Sequence, residues 1–466
     1  MKACVIGLAM STLFAGCAPK PYVQATGPTR VIVDGDVAEW PAHAKATADG
    51  EYLYLRFSPP GPLAALQASD RPTRILVDAD MDAGTGFDDF GVGAELEITL
   101  SPDPKGYGVK VQRYTPGVGA ETIKHADIDF SFAPTYGSST YEVRIGRTRA
   151  VAPLAFRNAC RGVIVSGEGD GAWVMKFETD MPALASARAT TKSPPIPAKP
   201  EGTVRVLSWN ILKNSIEKDP EPFARVVRAL APDVVLVQEW DGADGDTLAN
   251  WFNDHAPLDG DATWSGAARP SMGVGVATRY MIVQRQDGEF AVDDEWPTRC
   301  YGAVVRTPMG DVIAASTHLK CCGGYGSDED ERRVRETRAI ENGLYRAYPD
   351  ATPRTIVIGG DLNLVGSRRP LDTLAESLDV DGSPMAIANL QVFGDGARYT
   401  WTDDSSSFTP GRLDWVLVGD ANADIADAFV LDARRLSVGT LTDAGIQPTD
   451  TSVSDHLPVV VDIRIK

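Results

Sequence analysis

The chain has 466 residues, a length that predicts two domains of roughly 150 to 250 residues each. Its 43% hydrophobic and 23% charged residues are typical of globular proteins. The net charge is −19, and residues 201–466 contain 25 Lys and Arg against 42 Asp and Glu. This acidic balance argues against a broad surface that binds along nucleic-acid phosphates, although it is compatible with a locally basic cleft.

The first residues resemble a bacterial lipoprotein signal. Lys2 precedes an apolar run at 5–14 that is too short to span a bilayer, and Phe-Ala-Gly-Cys17 resembles a lipobox. We therefore predict a signal peptide at 1–16, lipidation of Cys17 and a tether at 17–27, with an ordinary cleaved secretory signal as the alternative. Acyl chains would hold the exported protein at a membrane, and Ala18 favours the bacterial outer membrane or cell surface.

Residues 28–189 have the pattern of an all-β sandwich. Short apolar or alternating runs are separated by Gly, Pro or Asp turns. These runs lie at 31–33, 52–57, 75–77, 95–100, 107–111 and 141–145. The sequences Asp34-Gly with Glu-Trp40, Asp49-Gly-Glu-Tyr-Leu-Tyr-Leu and Asp78-Ala-Asp-Met-Asp resemble DOMON-like and family 9 carbohydrate-binding modules. That resemblance implies binding of a sugar, haem or another ligand, or a spacer role.

Two features of this region bear on ligands. Asp78, Asp80 and Asp82 alternate along the chain and offer hard oxygen ligands for a structural Ca²⁺, with a solvated acidic turn as the alternative. Trp40 and Trp173 could stack on carbohydrate, although a lone tryptophan in a sandwich is more often a core residue.

A Pro-rich linker at 190–202 leads into residues 203–466, where strands and helices alternate. Helices are predicted at 220–231, with Asp219 as the N-cap, and after the N-cap Ser327. Strands are predicted at 204–209, 234–237, 272–277, 301–306, 312–317, 356–361, 413–418 and 459–465.

Polar side chains recur where these strands end. They are Asn210, Glu239, His318, Asp361 with Asn363, and Asp455 with His456, and Asp414 joins them if its strand runs in the opposite direction. Catalytic groups collect along one edge of layered sheets, so we expect these side chains to converge. Any single one could instead be a cap or a turn residue.

The motifs are Ser-Trp-Asn210, Val-Gln-Glu239, Thr-His318-Leu, Gly-Asp361-Leu-Asn363, Arg-Leu-Asp414 and Ser-Asp455-His456. In this order they resemble the endonuclease/exonuclease/phosphatase superfamily, which includes deoxyribonuclease I, exonuclease III, neutral sphingomyelinases and inositol-polyphosphate phosphatases. The resemblance implies an α/β four-layer sandwich, two packed sheets flanked by helices, that follows the all-β sandwich. It also implies metal-dependent hydrolysis of phosphate esters.

The resemblance also implies roles for the site residues. Glu239, Asn210 and Asp455 would bind the metal, which is Mg²⁺ by default, with Mn²⁺ and Ca²⁺ as alternatives. The catalytic residues would be Asp361, which polarises the attacking water, Asn363, His318, His456 and Asp414. Asn363 would orient that water or the phosphate, His318 would donate to a phosphoryl oxygen, and His456 would contact the phosphate or transfer a proton, with Asp414 fixing its tautomer. Leu212 stands where several nucleases of the superfamily carry an acidic residue, which weakens the case for two metals.

Export would place the cysteines in an oxidising compartment, where disulfides can form. Counting back through the predicted hairpin places Cys300 opposite about Thr317, close to Cys321 and Cys322. We therefore predict a disulfide from Cys300 to Cys321 or Cys322, with free buried thiols as the alternative. Cys160 is predicted to be free or to pair across the domain interface.

Three functions are compatible with the sequence. The first is an exported, lipid-anchored phosphodiesterase that acts on small phosphoesters or lipid headgroups, which the acidic charge and the anchor favour. The second is an extracellular nuclease, whose basic groove would use Arg269, Arg299, Lys320 and the arginines at 332–338, although those arginines also suit the polar face of the helix after Ser327. The third is a non-catalytic lipoprotein that binds carbohydrate or another ligand. The sequence does not predict an oligomeric state.

Overall fold

A computed structural model describes residues 31–103, 107–147, 154–184, 194–292, 296–348, 355–376 and 378–466. The predicted signal peptide, the lipidation site Cys17, the tether and the first part of the linker lie outside these residues. The described chain is predominantly β, with several sheets and few helices. Within it, no helix combines the length and the apolar character needed to cross a membrane.

The N-terminal part consists of strands. Their bounds are β1 Ala46–Ala48, β2 Tyr52–Phe57, β3 Thr73–Asp78, β4 Phe87–Asp89, β5 Val92–Ala94, β6 Leu96–Leu100, β7 Val109–Thr115, β8 Gly119–Ile123, β9 Ser131–Ala133, β10 Tyr141–Gly146, β11 Ala159–Ser166 and β12 Trp173–Asp180.

These strands form two antiparallel sheets, which we call the N-terminal sandwich. One sheet has the order β1-β2-β10-β9 and the other β12-β11-β3-β6-β7-β8, while β4 and β5 form a separate hairpin. Alternate residues such as Leu53, Leu55, Ile75 and Val77 are fully buried in the core between the sheets, as the period-two pattern requires. An all-β sandwich is the architecture that the sequence predicts.

The prediction of a strand at 31–33 in the N-terminal sandwich is wrong, because this segment pairs with the C-terminal part of the chain. Only Val33 makes a bridge, a parallel one to Ala397 in the C-terminal part of the chain. An apolar run that looks like an N-terminal strand therefore joins the two parts of the molecule.

Strands and helices alternate in the C-terminal part. Their bounds are β13 Val204–Asn210, α1 Ser215–Lys218, α2 Pro220–Leu230, β14 Val234–Gln238, α3 Gly245–His255, β15 Ser265–Ala268, β16 Val274–Thr278, β17 Met281–Arg285, β18 Phe290–Ala291, β19 Pro297–Thr307, β20 Gly310–His318, α4 Asp328–Ala347, β21 Thr355–Asp361, α5 Arg369–Glu376, β22 Ala386–Ile387, β23 Asp414–Val418, β24 Ala423–Val430, α6 Val438–Ala444 and β25 Val459–Ile465.

These elements form what we call the C-terminal sandwich. One sheet has the order β15-β16-β14-β13-β25-β24; the other has β17-β19-β20-β21-β23-β22, with β18 beside β19. Val206, Leu236 and Val357 belong to the apolar layer between the sheets. Phe223 of α2 and Leu344 of α4 belong to two further apolar clusters that cover the outer sheet faces. The arrangement is consistent with the expected four-layer sandwich.

The two predicted helix starts differ in their capping. The Ser327 hydroxyl accepts from the Asp330 amide at 3.3 Å, so α4 has the predicted N-cap. Asp219 occupies the predicted N-cap position of α2, but its side chain makes no capping hydrogen bond. Pro220 at the first turn still fixes the start of α2, because its ring presets a helical φ.

Buried charges join the two sandwiches. Arg144 of β10 forms two side-chain hydrogen bonds with Asp395, and neither side chain is exposed. Arg435 makes a second pair, donating to the two oxygens of Asp129 at 2.9 and 2.6 Å. The fully buried Arg144–Asp395 pair fixes the relative position of the sandwiches, because separating it leaves an uncompensated buried charge, whereas the Arg435–Asp129 pair is partly exposed.

Candidate active site

The predicted strand-end residues meet at one edge of the C-terminal sandwich. β13 and β14 run parallel, and so do β20 and β21, which places His318 directly beside Asp361. β23 runs antiparallel to β21 with Asp414 opposite Asp361, so this residue at the start of its strand reaches the same edge. The convergence expected from the sequence is therefore present.

A glycine is required immediately before the central aspartate. Gly360 has a φ of +147°, and a Cβ placed there would lie 1.9 Å from the carbonyl oxygen of Thr317. No other residue fits so close to the neighbouring strand. Gly360 thus lets β21 pair closely with β20 up to the point where Asp361 enters the site.

Three side chains form a compact centre. His318 Nε2 lies 3.4 Å from Asp361 Oδ2 and 4.0 Å from Glu239 Oε1. Ligand atoms of all three residues lie within 4.8 Å of one another. Asp361 and His318 are buried, whereas the Glu239 side chain is 20% exposed and faces the cleft.

A charged pair lies beside this centre. His456 Nδ1 donates to Asp414 Oδ2 at 2.8 Å, and His456 Nε2 lies 3.6 Å from Asp361 Oδ2. Burial lowers the pKa of His456, but the carboxylates of Asp414 and Asp361 outweigh it and raise that pKa to about 10. His456 is therefore an imidazolium at neutral pH, with its tautomer and ring orientation fixed by Asp414.

The other two titratable groups are shifted differently. Burial raises the pKa of Asp361 to about 7, with His456 opposing this rise. Burial, Arg299 and His456 together hold the pKa of His318 well below its usual range, so His318 is neutral. A carboxyl group with a pKa near neutrality is suited to accept a proton from water.

The asparagines hold the carboxylates in place. The Asn210 amide donates to Glu239 Oε1 at 3.1 Å and to Asp361 Oδ2 at 3.3 Å, while its oxygen accepts from the Leu212 amide. In this orientation the nitrogen faces the carboxylates, so Asn210 would bind a cation only after its amide turned over. The Asn363 side chain donates to the Leu319 carbonyl, and its backbone N–H donates to Asp361 Oδ1 at 2.9 Å.

Asp455 is positioned by a residue that the sequence analysis missed. Trp401 Nε1 donates to Asp455 Oδ2 at 2.9 Å, and the Trp401 backbone bridges to His456. Asp455 Oδ1 is buried and has no hydrogen-bond partner among the described residues, which is the state expected of a ligand oxygen without its ion. Trp401 lies in a long loop without a strand-end signature, so no local pattern marks it.

Arg333 has a position that the sequence analysis predicted wrongly. It was assigned to the polar face of the helix after Ser327, but it is fully buried. Its guanidinium donates to the carbonyls of Lys320 and Cys322 and to Asp330. Arg333 therefore holds the segment that follows His318, and the correction arises because its partners come from a loop that the helix pattern does not show.

The predicted disulfide is absent, and the described cysteines are free. Cys300 does lie opposite Thr317, as expected, but it is buried in the apolar cluster beneath α4. Cys321 and Cys322 lie beyond the end of β20 and line the cleft, with their Sγ atoms 2.8 Å apart. The predicted pairing of Cys300 with Thr317 is confirmed, but this pairing does not determine the direction in which the Cys300 side chain points. Cys160 is buried and free.

Of the three aspartates predicted to bind Ca²⁺ in the N-terminal sandwich, two lie together and the third does not. Ligand atoms of Asp78, Asp80 and Glu95 lie within 4.8 Å of one another. Asp82 is not in this group, because its carboxylate accepts from the Gly84 amide in the turn. Glu95 takes its place from the bend between β5 and β6, a contact that spacing along the chain does not reveal.

The two candidate sugar-stacking residues also differ from each other. Trp40 is 6% exposed, packs against Tyr52 and Tyr54 and donates to Glu142, so it is a core residue. Trp173 is half-buried and packs beside the core of the N-terminal sandwich. Of the two, only Trp173 presents a face to solvent.

Comparison with protein families identifies the C-terminal part. The Endonuclease/Exonuclease/phosphatase family matches residues 207–456, which include every strand-end residue described above. The chain belongs to this family. Its members are generally hydrolases of phosphoester bonds and typically use divalent metal ions. None of the curated proteins compared with this chain matches it.

Solved structures of similar proteins each cover slightly more than half of the chain. An endonuclease/exonuclease/phosphatase protein from Bacteroides vulgatus shares 13% identity, covers 57% of this chain and 99% of its own, and has a TM-score of 0.39. Sphingomyelinase C from Streptomyces griseocarneus shares 17% identity, with 56% and 99% covered and a TM-score of 0.35. The 3′ phosphatase NExo from Neisseria, bound to a product DNA hairpin, shares 18% identity, with 55% and 98% covered and a TM-score of 0.37.

The side chains present fit a divalent cation. Two carboxylates, from Glu239 and Asp361, lie close to a neutral imidazole, and Asp455 adds a buried oxygen without a partner. A hard cation such as Mg²⁺ takes few protein carboxylates and completes its shell with water and substrate oxygens. The partly exposed Glu239 leaves room for both.

Proposed function

We propose that the protein is a metal-dependent phosphodiesterase. The observation that supports this is the convergence of Glu239, His318, Asp361 and His456, whose facing atoms are linked by separations of 3.4 to 4.0 Å. Glu239 and Asp455 would hold the cation, for which Mg²⁺ is the first choice. When bound, the cation neutralises charge on the phosphoryl and leaving oxygens.

The residues of the chain perform the remaining steps. Asp361 takes the proton of the attacking water, and Asn363 orients that water or the phosphate. His456 donates a hydrogen bond from Nε2 to the phosphoryl group, since Asp414 keeps it protonated through Nδ1. Neutral His318 donates a second hydrogen bond to a phosphoryl oxygen. Donors fixed in a buried site stabilise developing charge more strongly than water does.

A panel assay tests the activity. Purified protein is incubated with bis-(4-nitrophenyl) phosphate, sphingomyelin vesicles, inositol phosphates, RNA and plasmid DNA, with Mg²⁺ and with a chelator. We expect chelator-sensitive hydrolysis of at least one small phosphodiester. Absence of hydrolysis of every substrate with Mg²⁺ and with Mn²⁺, from correctly folded protein, would contradict the proposal.

We also propose that the protein works outside the cytoplasm, anchored through acyl chains on Cys17. The support is the lipobox-like sequence before Cys17. Metabolic labelling with a radioactive fatty acid should mark the wild-type protein at the membrane but not the Cys17→Ser variant. Equal labelling of both would contradict the anchor.

A structural Ca²⁺ is proposed for the N-terminal sandwich. Asp78 is fully buried, and its Oδ1 has no partner among the described residues, although Oδ2 binds Arg161 at 2.8 Å. A buried carboxylate oxygen without a partner is costly unless an ion satisfies it. Asp80 and Glu95 supply the other oxygens.

A further inference from the structure

The cleft above the catalytic centre has walls from both sandwiches. Glu239, Asp361 and His456 lie among the residues that line it, and its volume is about 390 Å³. The N-terminal sandwich contributes Ala65, Gln67, Ala68, Tyr107 and Thr135 to the lining. The N-terminal sandwich thus borders the site directly.

Hydrogen bonds fix this wall against the catalytic sandwich. Gln67 accepts from the Thr409 amide through its side chain at 2.9 Å and from the Gly108 amide through its carbonyl at 2.7 Å. The Val109 amide donates to the Ser407 carbonyl at 2.7 Å. The loop residue Phe408 and the wall residue Tyr107 are thereby held beside each other.

A second set of contacts closes the opposite end of the wall. The Thr135 hydroxyl donates to the Leu364 carbonyl at 2.8 Å, and the Gly137 amide donates to the Gly366 carbonyl at 2.7 Å. A Cβ on Gly411 would lie 2.4 Å from Thr135 Cγ2, so the Thr135 side chain packs directly against the Gly411 backbone. Together with the buried Arg144–Asp395 pair, these contacts make the wall a fixed part of the cleft.

The chemistry of the cleft differs between floor and walls. The floor carries the carboxylates and imidazoles, whereas the walls present Ala65, Ala68, Tyr107, Phe408 and Leu413. Tyr107 is 46% exposed and Phe408 37% exposed, so both rings have free area. Apolar and aromatic walls around a few polar groups at the floor are typical of small-molecule sites of this volume.

The cleft does not suit an extended polyanion. Among the described residues that line it, Lys213 is the one lysine or arginine, beside the imidazolium of His456, and the basic side chains predicted for a nuclease groove are not among them. Arg269 lies 3.9 Å from Glu289, Arg333 is buried, and neither lines the cleft. Binding along a nucleic-acid backbone needs several cations to replace counterions.

We infer that the N-terminal sandwich determines substrate specificity, and that the substrate is a compact phosphodiester with an apolar or aromatic group. This inference rests on the proposed phosphodiesterase function, since the phosphate must lie at the floor. The apolar group then lies between Tyr107 and Phe408. The same chemistry occurs in a soluble ester and in a lipid.

Binding of phosphonates tests the wall separately from catalysis. The probes are phenylphosphonate and methylphosphonate, titrated calorimetrically into the full chain with Mg²⁺. We expect the wild-type protein to bind phenylphosphonate about tenfold more tightly, because the ring buries extra apolar area against the wall aromatics. Tyr107→Ala and Phe408→Ala should each reduce this ratio to about twofold, and Tyr345→Ala, which changes an exposed ring on α4 outside the cleft lining, should preserve it.

The outcomes separate the two proposals. Equal affinities for the two phosphonates, or an unchanged ratio in both wall variants, would overturn the specificity role even if the enzyme hydrolyses phosphodiesters. A large affinity ratio in the wild-type protein that falls in the wall variants supports the specificity role of the wall, even if turnover with the assay substrates is absent. Plasmid DNA cleaved faster than bis-(4-nitrophenyl) phosphate would also overturn the substrate class. A higher KM for Tyr107→Ala with the aryl ester indicates a soluble source, and the same change with sphingomyelin vesicles indicates a lipid source.

Discussion

The two sandwiches have similar architectures but carry different kinds of side chain where they border the cleft. Each packs two sheets around an apolar core, with residues such as Leu55 and Val206 fully or almost fully buried. In the C-terminal sandwich, strands end in side chains that can carry charge, and Asp361, His318 and Asp414 meet there. The described edges of the N-terminal sandwich supply mostly apolar side chains and backbone groups to the same cleft.

The difference shows how the two parts divide the task. A buried core stabilises both sandwiches, but it does not determine chemistry, since function depends on the residues where strands end. The C-terminal edge supplies charge and proton transfer. The N-terminal sandwich supplies the wall that shapes the cleft. This division of roles would be wrong if removing one sandwich left the function of the other unchanged.

The largest expected effect is on turnover. Asp361→Asn removes the proton acceptor, so kcat should fall by about 10³- to 10⁴-fold. His456→Ala should have an effect of similar size. Steady-state kinetics with bis-(4-nitrophenyl) phosphate measures the loss, and circular dichroism checks the fold.

The matched control is Asp259→Asn, which makes the same change in an exposed loop and should leave kcat within about twofold. Near-normal turnover in Asp361→Asn would show that the edge of the C-terminal sandwich is not the catalytic centre.

The second effect concerns the joint between the sandwiches. Asp395→Asn leaves Arg144 buried without its main partner, which should reduce the free energy of unfolding by about 3 kcal/mol. Asp311→Asn breaks an exposed pair with Arg306 and should change the free energy of unfolding far less, because solvent screens an exposed pair. Urea titration followed by tryptophan fluorescence compares the two variants. If the sandwiches were independent, Asp395→Asn would change neither the cooperativity of unfolding nor the KM.

The catalytic edge could be predicted from sequence because its signals are local. Asn210, Glu239, His318 and Asp361 each follow an apolar run, and parallel pairing brings such ends together. The wall could not be predicted in the same way. Gln67 and Thr409 are 342 residues apart, and nothing in either segment indicates its partner. Arg333 was misplaced for the same reason, since helix periodicity does not reveal carbonyl groups in a distant loop.

The third effect is on pH dependence. Because Asp414 helps to raise the pKa of His456 to about 10, wild-type activity that needs the imidazolium should persist at alkaline pH and fall only near that value. Asp414→Asn lowers this pKa, so the alkaline fall of kcat/KM should move to lower pH, with a loss of about tenfold at pH 8. Asp414→Glu should restore most of the alkaline range. An alkaline limb at the same pH in Asp414→Asn would show that His456 does not act as the charged donor.

The smallest effect tests whether the N-terminal sandwich has an ion of its own. At ten times Kd, Ca²⁺ should stabilise the protein by about 1.4 kcal/mol, which corresponds to a rise in Tm of about 3–6 °C. The measurement uses an Asp361→Asn background with excess Mg²⁺, so that the catalytic centre does not contribute. Glu95→Gln removes a ligand and should abolish the shift, while Asp70→Asn, an exposed control, should retain it. If Glu95→Gln keeps the full shift, the acidic run is a solvated turn, and the N-terminal sandwich contributes to the enzyme only through its wall.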